Sequence, residues 1–109
     1  MYMNILNQTF TALADPTRRG ILALLCDGEA TVSDLVKQFD LTQPTISVHL
    51  KVLEEAGLIS RTQVAQTRPC RLEPNALKVV DAWLERYRSV WEANYARLDA
   101  VLDELKRVT

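Results

Sequence analysis

One histidine, three glycines and two cysteines are all that 109 residues hold of those types, and each scarcity closes off a class of function. With His49 as the single histidine, no nucleophile–base set is legible in the sequence, so an enzyme is not expected. Three scattered glycines make no Gly-rich loop to cradle a phosphate. Cys26 and Cys70 are too few for a disulfide framework, and reduced thiols are the default inside a cell. No apolar run is long enough to span a bilayer, and Met1-Tyr2-Met3-Asn4 lacks the charged start and small-residue cleavage site of an exported chain. A cytoplasmic location without a membrane partner is the expectation. A length of 109 residues fits a single domain, 1–109, with room for one core.

An excess of positive charge is missing too, because the chain carries a net −1. Its distribution says more than its sum. Residues 41–72 hold Lys51, Arg61, Arg68 and Arg71 against Glu54 and Glu55, while residues 1–40 and 73–109 are each net negative.

That positive block overlaps the most structured pattern in the sequence, Thr31 to Ile59. Thr31 is suited to cap a helix, with Asp34 placed to complete a reciprocal pair. Leu35, Val36 and Phe39 give this short helix an apolar face, and Asp40-Leu41-Thr42 breaks it. Thr42 caps a second helix, where Pro44 is tolerated because first-turn N–H groups have no intrahelical partner. Ile46, Leu50 and Leu53 recur at i, i+4, i+7, and Gly57 ends the helix. Two helices across a tight turn, 31–57, make a helix-turn-helix, whose second helix can enter the DNA major groove. With Ile46 at the centre of the buried face, Pro44, Val48, Lys51 and Glu55 point outward. Gln43 and Ser47 take one flank, Thr45 and Val52 the other. Thr42, Gln43, Thr45 and Ser47 are small or uncharged polar groups that can bond base edges, and Val48 can touch a thymine methyl.

Around this motif the chain reads as follows. Residues 4–14 place Ile5, Leu6, Phe10 and Leu13 near one helical stripe. Asp15-Pro16 ends that helix and starts the next, 16–26, a core helix with Ile21, Leu22, Leu24 and Leu25. Arg18 and Arg19 near its start are open to two readings, surface solvation or contact with a DNA phosphate. After Gly57, Leu58 to Val64 and Pro69 to Leu72 read as strands joined by a turn at 65–68, a wing spanning 58–73. Arg61, Arg68 and Arg71 would lie along it, in reach of phosphates or a minor groove.

From about Asn75 to Lys106 the pattern is helical, without Gly or Pro. Leu77, Val80, Leu84, Tyr87, Trp91, Asn94, Leu98, Val101 and Leu105 alternate steps of three and four, the seam of a coiled-coil-like pair. So small a domain cannot bury such a seam alone, whereas two chains can, each offering this helix and the first one. Asn94 is the polar seam residue that could fix register. One continuous helix and a break near Asp81 both fit the pattern.

Three separated segments then resemble the ArsR family of bacterial winged-helix repressors. They are Ala12-Leu13-Ala14-Asp15-Pro16-Thr17-Arg18-Arg19, then Gln43-Pro44-Thr45-Ile46-Ser47-Val48-His49-Leu50, then Leu53-Glu54-Glu55-Ala56-Gly57-Leu58-Ile59. The resemblance covers residues 5 to 74 and agrees in order and spacing. It implies a mainly α fold with a small β-hairpin, a winged helix-turn-helix of five or six helices, dimeric through the first and last. It also implies an inverted-repeat operator in double-stranded DNA, released on an inducing signal that the residues do not name. By resemblance Gln43, Thr45, Ser47 and His49 fall on DNA-reading positions, although His49 also flanks the buried face and could instead orient the motif. The family's metal motif places two cysteines where Thr31 and Ser33 stand, and a second site needs Asp and His pairs on the last helix. Soft or borderline metals need thiolate or imidazole ligands. No metal and no cofactor are therefore expected, and Trp83-Leu84 with Tyr87-Arg88 and Trp91 is similar to a subgroup without a metal site.

The resulting expectation is a homodimeric repressor. Thr42, Gln43, Pro44, Thr45, Ser47, Val48, His49, Lys51, Arg61, Arg68 and Arg71 would face DNA. Leu6, Phe10, Leu84, Tyr87, Trp91, Asn94, Leu98, Val101 and Leu105 would face the second chain. Two alternatives stay open: a winged-helix module that binds protein, and a repressor that senses oxidants through Cys26 and Cys70.

Overall fold

The computed structural model describes residues 2–63 and 67–108. In chain order the elements are α1 (Tyr2–Leu13), α2 (Pro16–Leu25), α3 (Val32–Phe39), α4 (Gln43–Glu55), β1 (Ile59–Arg61), β2 (Cys70–Leu72) and α5 (Lys78–Val108). Among the described residues, five helices and a two-stranded antiparallel hairpin make a winged helix-turn-helix. The chain divides into two units, one ending at Val79 and one beginning at Val80.

The helix starts follow from local chemistry. Asp15 accepts the Arg18 N–H at 3.1 Å, and Pro16 occupies the first turn of α2. Thr31 and Asp34 form the reciprocal capping box at 3.2 and 3.0 Å. Thr42 accepts the Thr45 N–H at the start of α4. Each cap satisfies a donor that the first turn leaves without an intrahelical partner.

The helix ends are equally local. Asp40 closes α3 in the left-handed region (φ 53°), where a short polar side chain is tolerated. Gly57, at φ 76°, closes α4. There the Leu58 N–H bonds the Leu53 carbonyl and the Gly57 N–H bonds the Glu54 carbonyl, both at 3.0 Å. These are the paired bonds of a Schellman motif. Leu53 and Leu58, the two residues that motif brings together, are both fully buried.

The core of the first unit gathers Ile21, Leu22 and Leu25 of α2, Leu35 of α3, Ile46, Leu50 and Leu53 of α4, and Leu58, Ile59 and Cys70 beside and within the hairpin. Gly20 lets α2 and α3 approach closely, since a Cβ there would lie 2.8 Å from Cε1 of Phe39.

Several expectations are corrected. The buried stripe of α1 is Leu6, Thr9 and Ala12, while Ile5 and Phe10 are exposed. Thr9 can be buried because its hydroxyl donates to the Ile5 carbonyl at 2.9 Å. The strands are shorter than the β-rich composition implied. Leu58 lies before β1, its N–H spent on the end of α4 and its carbonyl accepting the Glu73 N–H. The register pairs Ile59 with Leu72, Ser60 with Arg71 and Arg61 with Cys70. Cys70 also bridges to Ala30 through two backbone bonds, at 2.7 and 3.1 Å, tying the base of the wing to the segment before α3. Val64, expected to end the first strand, and Ala65 and Gln66 of the turn expected at 65–68 lie outside the described residues. The last helix begins at Lys78 and not near Asn75, because Glu73 to Lys78 form hydrogen-bonded turns.

Helix α5 runs unbroken from Lys78 to Val108, so no break occurs near Asp81. It is 31 residues long, about 45 Å at ~1.5 Å per residue, and contains no buried residue. Trp83 and Tyr87 meet with tilted rings, centroids 5.1 Å apart and planes at 59°, and Arg88 pairs with Glu85 at 3.1 Å and with Asp81 at 3.6 Å along the same helix.

Two stability predictions follow from the caps. Gly57→Ala forces a Cβ into the left-handed region and should cost about 1–2 kcal/mol, read as a lower unfolding midpoint. The Thr31 backbone N–H, with its hydroxyl, holds the Asp34 carboxyl below its ordinary value. A carboxylate depressed by folding stabilises above its unfolded pKa, and that stabilisation is lost as pH falls through the folded value. Asp34→Ala should therefore lower the midpoint at neutral pH, and the gap from the parent should close as pH drops below about 4, the ordinary aspartate range. Thermal unfolding across a pH series measures both; a gap that persists in acid would mean the carboxylate is not its source.

Candidate nucleic-acid interface

Helix α4 is locked in rotation. Ile46, Leu50 and Leu53 are each 0% exposed, so the face opposite them must point to solvent. On it Val48 is 62% exposed, and Gln43, Pro44, Thr45 and Lys51 are exposed around it. Ser47 is half-buried on a flank. Thr42 is exposed too, and its hydroxyl lies 2.9 Å from the Thr45 hydroxyl. The two threonines therefore share a bond at the tip of the helix, so Thr45 helps shape the tip as well as presenting it. The resulting surface is small, uncharged and partly methylated, with one cation, Lys51, a turn farther on.

His49 is not on that surface. Its side chain is 16% exposed, with Nδ1 3.2 Å from Nη1 of Arg18 and 3.9 Å from the Asp15 carboxylate. This placement sets the ring against Arg18 and Asp15 at the start of α2.

Arg18 and Arg19 are neither plain solvated residues nor arranged like free phosphate ligands. Arg18 donates through Nε to the Ala12 carbonyl at 2.8 Å and through Nη2 to the Thr11 carbonyl at 3.0 Å. Arg19 donates to the Leu13 carbonyl at 2.7 Å. Helix α1 has no basic residue in its own last turn. The next helix supplies the cations that satisfy its terminal carbonyls. The sequence offers one signal of this: two arginines placed just past Asp15-Pro16, after a helix end without a glycine cap. The Arg18 N–H is also the chief reason the Asp15 carboxyl sits below its ordinary value, with His49 and the Arg18 charge adding to it.

The wing arginines do not share a face. Side chains alternate along a strand. Arg61 is on the face of Ile59, Cys70 and Leu72, half-buried, whereas Arg71 is on the opposite, exposed face and donates to the Ser60 hydroxyl at 3.2 Å. Arg68 is exposed. Arg61 and Arg68 edge a cleft of about 270 Å³ with Thr31, Val32, Ser33 and Thr67.

The thiols differ sharply. Cys26 is exposed at the end of α2, while Cys70 is fully buried, and burial pushes its thiol up despite the Arg61 guanidinium beside it. At the start of α3, where a family metal site would need thiolates, the Thr31 hydroxyl is committed to the Asp34 N–H and Ser33 offers only another hydroxyl. That donor set does not fit a soft metal ion. Among the described residues, no three of His, Cys, Asp and Glu gather into a potential metal cluster.

Of the residues expected at a dimer surface, Leu6 is 3% exposed within the protomer, Leu84 is half-buried, and Phe10, Tyr87, Trp91, Asn94, Leu98, Val101 and Leu105 are exposed. Leu6 is therefore packed inside its own chain.

Comparison with known proteins agrees with this architecture. Residues 15–61 match the family described as bacterial regulatory protein, arsR family. The transcriptional repressor SdpR of Bacillus subtilis is 46% identical over 55 residues, which span 50% of this chain and 61% of that protein. The arsenical resistance operon repressor of Escherichia coli is 35% identical over 105 residues, covering 92% of this chain and 84% of that protein. The crystal structure of an ArsR family transcriptional regulator aligns with a TM-score of 0.76 at 41% identity, covering 84% of this chain and 95% of that one. Capped helix pair, stitched hairpin and likeness along most of its length together place this chain in the arsR family of bacterial regulatory proteins.

Proposed function

We propose that the chain is a cytoplasmic transcriptional repressor that binds an inverted-repeat operator as a homodimer. The observation that carries this reading is the exposed Val48 among Gln43, Pro44 and Thr45, on a helix whose opposite face is wholly buried. A solvated helix face has little use for a bare valine beside small polar groups. In the major groove the same surface meets base edges and thymine methyls. Lys51, Arg68 and Arg71 are exposed cations suited to flanking phosphates, and Arg61, expected beside them, is half-buried on the inner face of the wing.

The second chain is required by the chemistry of recognition and by α5. One helix-turn-helix reads a short half-site, and two-fold pairing doubles what is read. Tyr87, Trp91, Leu98 and Val101 leave a repeating apolar seam at the surface of α5. Paired with a copy of itself, each fully buried side chain would contribute roughly 1.5–3 kcal/mol before the entropy of association is charged. Phe10 and Asn94 belong to the same proposed surface; Leu6, already buried, does not.

Two experiments test the proposal. Ser47→Ala should weaken binding to the selected operator by about 1–3 kcal/mol and leave binding to random DNA nearly intact. Arg68→Ala should instead weaken both and make the salt dependence shallower. Titrations of each variant on operator and random duplex separate the two roles, and equal loss on both DNAs for Ser47→Ala would remove base reading. The second concerns assembly. Leu98→Glu puts an unpaired charge in the seam and should give monomer or unfolded chain without operator binding. Sedimentation and DNA titration on one sample decide it: a folded monomer with parental operator affinity refutes the homodimer.

A further inference from the structure

The group that joins α1, α2 and α4 at one point is the guanidinium of Arg18. All three of its nitrogens are engaged. Nε and Nη2 take the Ala12 and Thr11 carbonyls at the end of α1, and Nη1 lies 3.2 Å from Nδ1 of His49 on α4. The Arg18 main-chain N–H is held by Asp15, whose carboxylate faces the same imidazole at 3.9 Å.

A guanidinium has N–H donors and no lone pair to offer. A hydrogen bond between Nη1 and Nδ1 therefore makes Nδ1 the acceptor and leaves the ring proton on Nε2. Arg18 thus fixes the position of the His49 ring. His49 stands one residue after Val48 and two after Ser47, so whatever fixes His49 also fixes the two side chains offered to the groove. The apolar stripe of Ile46, Leu50 and Leu53 sets the rotation of α4. The hydrophobic effect behind that stripe is itself non-directional. A planar donor fork held by two carbonyls and one imidazole is directional in all three coordinates.

We propose that Arg18 is a positioning residue for DNA reading, clamping α4 to the end of α1 through His49 and touching no DNA itself. This rests on α4 being the reading helix, and the controls below keep the two claims separate. The chemistry of the clamp is specific. Lysine keeps the charge but offers one nitrogen in place of a planar fork, so it cannot span both carbonyls and the imidazole.

The test is a binding cycle on the full chain, at a temperature where circular dichroism shows every variant folded. Arg18→Lys should weaken operator binding by about tenfold, the scale of a lost charge-assisted hydrogen bond. The slope of affinity against salt should not move, since no phosphate contact is removed. His49→Phe should cost a similar factor, and the double variant no more than either single one. His49→Asn, which keeps an acceptor near the place of Nδ1, should lose less than His49→Phe. Ser47→Ala is measured beside them. If Ser47→Ala loses operator binding while folded Arg18→Lys binds as the parent does, the clamp is wrong and the reading helix stands. If Ser47→Ala loses nothing, the reading helix fails and takes the clamp with it. A shallower salt slope in Arg18→Lys would make the residue a phosphate ligand, and additive losses in the double variant would make Arg18 and His49 independent; either overturns the proposal. Should Arg18→Lys not fold, the comparison of His49→Phe with His49→Asn decides it alone.

Discussion

The structure depends on one constraint, the complete burial of a single stripe of a 13-residue helix. Ile46, Leu50 and Leu53 of α4 are closed to solvent by α2, α3 and the entry to β1. Rotating α4 by one residue would carry an apolar side chain out and bring Ser47, Lys51 or Glu54 in. Burying an unpaired charge or hydroxyl costs several times what a misplaced methyl group does. The orientation of the outward face is thus decided by the inward one. Function on α4 is available because stability needs only the other half of the helix.

The same economy appears at the ends of the elements. Carbonyls that α1 leaves open are closed by arginines of α2, and donors that α3 leaves open are closed by a threonine and an aspartate within one turn. The wing is three residues per strand, too short to stand as an isolated hairpin. It persists because Leu58, Ile59 and Cys70 are core residues and because Cys70 exchanges backbone bonds with Ala30. Burial of Cys70 is therefore a structural fact about the wing before it is a chemical one about a thiol.

What the sequence made legible was whatever depends on near neighbours. Thr31 with Asp34, Thr42 before Gln43-Pro44, and Gly57 after Glu54-Glu55-Ala56 state helix limits in the four or five residues that form them. The period of Ile46, Leu50 and Leu53 states which face is buried. What stayed illegible depends on residues far apart. Nothing local to Ala30 announces a partner at Cys70, and nothing local to Arg18 announces His49, 31 positions away. Arginine spacing on the wing looked like one charged edge because register was unknown. Pairing Arg61 with Cys70 and Arg71 with Ser60 separates the two by a face. The buried α1 stripe runs through Thr9 instead of Phe10 because a hydroxyl that bonds its own helix counts as polar in composition and behaves as apolar in packing.

The charge pattern bears on how such a protein would find one site among many. Its outward cations beside α4 are few: Lys51 on the helix and Arg68 and Arg71 on the wing, with Arg18 and Arg19 spent on carbonyls. Sequence-independent affinity for DNA scales with the number of phosphates neutralised, so this chain has little of it to give. A strongly basic protein gains affinity everywhere and must then discriminate against a genome of weak sites. A nearly neutral one avoids that competition, but it must draw its affinity from base contacts and from the doubling that two-fold pairing supplies. The uncharged tip of α4 and the long apolar seam of α5 are then two halves of one solution. On the proposed function, the tip would supply discrimination with little charge, and the seam would supply a second tip.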